Sequence, residues 1–122
     1  MALYIAAFLL LAVGAAHSVL GERYILIRLF RRPDLPKLFG GTAFTIRTLR
    51  FAWHLTSVAW WGFAALLVQL GSGKAGSARI AATIGVTFLV TGLLTLIGSR
   101  ARHLAWPVFL AIGSLALWAA AS

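Results

Sequence analysis

Three histidines, His17, His54 and His103, are the side chains of this 122-residue chain best suited to chemistry, and each lies on a different apolar segment. Imidazole binds transition metals, ligates haem iron and titrates near neutral pH. The chain has no cysteine, and Glu22 and Asp34 are its only acids. Thiolate sites are therefore excluded. So is a di-iron carboxylate bundle, which needs a Glu-x-x-His pair on each of two helices and further glutamates.

The residues admit four uses. A b-type haem would sit between His17 and His54, with Arg47 or Arg50 pairing with its propionates. A Zn²⁺ or copper ion would take His17, His54 and His103, with Glu22 as a fourth ligand or an outer partner. Proton transfer or pH sensing is the third use. The fourth is structural, each ring bonding a neighbour's backbone or a lipid headgroup. A serine nucleophile would be Ser18 or Ser57 served by a histidine from another helix, but nothing in the sequence marks either as activated. No spacing of the HExxH kind is present.

These residues sit in a chain that is 61% hydrophobic and 11% charged, which is not the balance of an ordinary soluble domain. Apolar runs cover Ala2 to Leu20, Phe51 to Leu70, Ile80 to Gly98 and about Leu104 to Ala121. A spanning helix needs about 20 such residues. The first three runs meet that comfortably; the fourth is at the short end and contains Pro107. The first run follows Met1 with no basic residue before it, so it reads as a true span rather than a signal peptide. The fold expected is an all-α membrane bundle, one domain over residues 1–122, with helices at about 2–20 (extending to about 31), 43–70, 79–98 and 103–121. Thr42 is placed to cap the second.

Charge orients the bundle. The connection at about 21–50 carries Arg23, Arg28, Arg31, Arg32, Lys37, Arg47 and Arg50, whereas the loop after the second helix has only Lys74 and Arg79. The positive-inside rule puts the basic connection in the cytoplasm and both termini in the periplasm of an inner membrane. The net charge of +9 thus points to anionic lipid headgroups, not to nucleic acid.

Depth and face then narrow the histidines. His17 precedes Gly21 by four residues and His54 follows Arg50 by four, so both lie about 6 Å inside the boundary at ~1.5 Å per residue. Arg47, Arg50, His54, Ser57 and Trp61 share one helix face, while Gly14 lies three residues before His17. His103 starts shallower, directly after Arg102. Thr83, Thr87, Thr91 and Thr95 form a stripe suited to close helix packing, and Trp53, Trp106 and Trp118 fit an aromatic belt. The functional expectation is a small integral inner-membrane protein with a His-centred haem or metal site near the cytoplasmic leaflet. The alternative is a non-catalytic accessory subunit of a larger membrane complex, or a homo-oligomer.

Overall fold

The computed structural model describes all 122 residues and is all-helical. Helix α1 runs over Ala2–Leu29, α2 over Ala43–Gly71, α3 over Ser77–Gly98 and α4 over Trp106–Ala121. The first three are long and apolar enough to cross a membrane. At ~1.5 Å per residue α1 reaches about 42 Å, more than the ~30 Å of a bilayer's hydrocarbon, so it must tilt or project. The helix is unbroken: Glu22–Leu26 form a π-helical turn that carries the chain past Gly21.

Only 12 residues are buried, and large apolar side chains such as Phe8, Ile97 and Trp118 stand outward. In water such faces would be a liability; on an integral membrane protein they meet lipid.

The helices pack in chain order, α1 on α2, α2 on α3 and α3 on α4, and α1 makes no substantial contact with α3 or α4. The result is an open row of two hairpins. The outer hairpin, α3–α4, is the closer-packed: a Cβ on Gly113 would lie 2.8 Å from the Gly85 carbonyl oxygen. Gly113→Leu is accordingly expected to destabilise the protein by about 1–3 kcal/mol through overpacking, read as a lower melting temperature in detergent. The threonines of α3 turn back on their own helix. Thr87, Thr91 and Thr95 donate to the carbonyls of Thr83, Thr87 and Thr91 at 2.8, 2.8 and 2.9 Å. They therefore form no continuous hydroxyl chain along the stripe.

Two helix starts differ from expectation. Thr42 makes no capping bond; the first turn of α2 is tied instead by the Thr45 hydroxyl, which donates to the Pro36 carbonyl at 2.8 Å. Helix α4 begins at Trp106, not at residue 103, because Pro107 fits only a first turn, where its missing N–H is not needed. Between α1 and α2, Arg32 donates to both Asp34 oxygens at 2.9 and 2.7 Å across Pro33. That hydrogen bond holds the exposed Asp34 carboxyl below its ordinary value, so the clasp persists at neutral pH and is lost only as pH falls.

Candidate functional site

Two glycines bring α1 and α2 together. The Trp61 indole lies over Gly14 and the Trp53 indole over Gly21, and a Cβ on either glycine would collide with the ring nitrogen. This approach places the polar residues of the basic end, His17, Ser18 and Glu22 on α1, directly against Arg50, Trp53, His54 and Ser57 on α2.

His17 and Trp53 clasp each other. The Trp53 indole N–H donates to the His17 carbonyl at 2.9 Å, and the His17 Nε2–H donates to the Trp53 carbonyl at 3.2 Å. Their rings stack with centroids 4.4 Å apart and planes 3° from parallel, while Trp60 meets His17 edge-on at 5.0 Å.

His54 belongs to a different set of bonds. Its Nε2 is 3.1 Å from Glu22 Oε2 and its Nδ1 is 2.9 Å from the Ser18 hydroxyl. Ser18 Oγ is 2.7 Å from Ser57 Oγ, and the buried Ser57 hydroxyl donates to the Gly14 carbonyl at 2.8 Å. The other Glu22 oxygen accepts from Arg50 at 3.0 Å, and the Arg50 guanidinium sits 4.9 Å above the Phe30 ring. An unbroken line of hydrogen bonds thus runs Arg50–Glu22–His54–Ser18–Ser57–Gly14. Arg47, one turn before Arg50, makes no hydrogen bond or ion pair within it.

His103 lies in the turn between α3 and α4. Its N–H donates to Ser99 Oγ at 3.2 Å and its Nδ1 accepts from the Ala105 N–H at 3.3 Å. The ring packs on Phe44 and edge-on to Phe51 at 6.0 and 5.2 Å. It shares no hydrogen bond with His17 or His54.

The structure therefore brings His54, Glu22 and Arg50 together, sets His17 beside them on a separate partner, and leaves His103 apart. No three histidine or acidic side chains meet in an arrangement that could hold a metal ion. Both nitrogens of His54 are engaged, and Arg50, expected to meet a propionate, is on Glu22. In this arrangement His17 Nε2 and both ring nitrogens of His54 are bonded within the protein. Sequence reading missed the Ser18–Ser57 link that extends the line inward. The signal for it was that Ser57 shares the helix face of His54 and Ser18 directly follows His17.

The order carboxylate, imidazole, hydroxyl is that of a nucleophilic triad. Yet Ser18 sits inside α1, where the backbone N–H groups that would hold an oxyanion are bonded along the helix. Nor do Ser18, His54 or Glu22 line the groove of about 410 Å³ between α2 and α3 or the cavity of about 460 Å³ beside His17. What the line of bonds can do is hold and relocate protons. No family model, curated protein or solved structure matches the chain.

Proposed function

We propose that this is an integral inner-membrane protein whose His-centred site, at the cytoplasmic end of α1 and α2, holds a proton and couples it to the packing of the two helices. The observation that carries this reading is the unbroken line from Glu22 to the Gly14 carbonyl, because its protons can be counted.

Ser57 must donate to Gly14, since a carbonyl has no hydrogen to give. Ser18 must then donate to Ser57, and the Nδ1–H of His54 must donate to Ser18. One further proton is needed between Nε2 and Glu22. With Arg50 on the other oxygen, that proton lies between the His54 ring and Glu22. The fully bonded seam thus holds one proton more than a neutral imidazole beside a carboxylate. Its loss leaves the Nε2 lone pair facing Glu22, or makes Ser18 turn from Ser57 to Nδ1. Either way the seam loses a bond, so the closed form is the one that keeps this proton. Glu22 and Ser18 face His54 from α1 and Arg50 flanks it from α2; no side chain of α3 or α4 bonds to it.

The line ends on a carbonyl that has no proton to pass on, which favours a sensor over a conduit. Nitrogen-15 NMR of the protein in lipid checks the reading: His54 is expected to show both ring nitrogens protonated in the closed form. A His54 that is singly protonated at Nε2 throughout would overturn it.

A second reading, an accessory or oligomer-forming subunit, is favoured by the groove between α2 and α3. Ala52, Ala59, Gly62, Thr83, Thr87 and Thr91 line it, the small residues on which membrane helices pack. Mass determination in native-like lipid particles separates a lone chain from an assembly.

A further inference from the structure

His17 is committed on one side only. Its Nε2 bonds a carbonyl, so the proton of the neutral ring is on Nε2 and Nδ1 presents a bare lone pair. Nδ1 has no partner in the protein and is not sealed inside it. The ring lines an open cavity of about 460 Å³ with Val13, Leu20, Tyr24, Trp53 and Trp60.

The chemistry of this cavity narrows its occupant. One imidazole with no carboxylate beside it falls short of the three or four protein donors that a bare zinc ion takes. An anion would meet a lone pair, and neither Arg nor Lys lines the walls. An apolar hydrocarbon would leave the acceptor unused. The complement is a group that donates a hydrogen bond, lies flat against an indole and carries an apolar body.

We infer that this cavity is a binding site for a membrane-soluble hydroxylated aromatic ring, a quinol or prenylated phenol. Its O–H donates to His17 Nδ1, its ring rests against Trp60 and its tail runs along α1 into the lipid. His17 lies four residues before Gly21 and the π turn, a depth suited to a polar ring with a hydrocarbon tail. The site is separate from the His54 line and does not rest on it. It also makes a selectivity statement. A quinol brings the donor that Nδ1 lacks, whereas the oxidised quinone brings only acceptors.

The test uses the full-length protein in phospholipid nanodiscs, titrated with decylubiquinol and, separately, with decylubiquinone. The shifts of the Trp53 and Trp60 indole N–H signals report binding. Quinol is expected to bind about three- to tenfold more tightly than quinone, the worth of one net hydrogen bond. His17→Phe keeps a ring on Trp53 and removes the acceptor, so the ratio should fall to one. Trp60→Leu should weaken both forms alike and leave the ratio intact, which separates loss of the acceptor from loss of the cavity. Equal binding of the two forms by the unaltered protein, an unchanged ratio in His17→Phe, or no saturable binding overturns the inference. So does a His17-dependent Soret band on titration with haemin, since iron is then the partner of Nδ1.

Discussion

Gly21→Val is expected to cost about 3 kcal/mol or more, because the Trp53 indole over it cannot retreat without giving up two things at once. One is the stack on His17; the other is the indole N–H bond to the His17 carbonyl. Overpacking alone costs typically about 1–3 kcal/mol, and a lost bond in a half-buried clasp adds to it. The measurement is a reversible unfolding curve in detergent, together with the Trp53 indole signal, which should move. Gly76 supplies the control. It has open space where a Cβ would go and an ordinary extended backbone, so Gly76→Val should leave stability nearly unchanged. Equal effects at Gly21 and Gly76 would show that the α1–α2 contact is not close-packed.

The second large effect belongs to His54→Leu. It leaves Ser18 without one partner and Glu22 with Arg50 alone, in a site where the His54 and Glu22 side chains are about one-third exposed. A loss of about 1–3 kcal/mol is expected, below the range for a fully buried ion pair because water still reaches Glu22. The double variant His54→Leu with Glu22→Leu should lose less than the sum of the two single changes. The difference, about 0.6–1.7 kcal/mol, is the range found for hydrogen bonds between membrane helices. Strict additivity would mean that His54 and Glu22 do not interact in the folded protein.

How far the sequence foretold this site depends on which residues are considered. The four apolar runs mark the four helices, since a spanning segment can hardly be built otherwise, but α1 runs on to Leu29 and α2 starts back at Ala43, beyond their runs at the basic end. Helix rise also places His17 and His54 at one depth on neighbouring helices, as the structure has them. Rotation about the axis was harder to read. A ring's depth does not say which nitrogen meets which neighbour, and His17 and His54 turn to different partners only because Trp53 and Ser18 intervene. Glu22 was legible as an outer partner of the three histidines, but not as bonded to His54 in particular. The π turn that opens at Glu22 follows no residue pattern, and it lies where α1 delivers its only carboxylate. His103 was misjudged as helical because apolar character runs on past it, whereas Pro107 sets where α4 can start.

The side-by-side arrangement of the helices has a consequence for biogenesis. Every member of the His54 line, and of the His17 clasp, lies between Gly14 and Ser57, and α1 leans on α2 alone. A nascent chain therefore has the complete polar seam in hand once α2 has left the ribosome, before Ser77 begins the second hairpin. Glu22 and His54, costly to leave unpaired in lipid, need not wait for later segments to find each other. Order of synthesis and order of assembly coincide, and the second hairpin docks onto a first whose Glu22 and His54 are already paired.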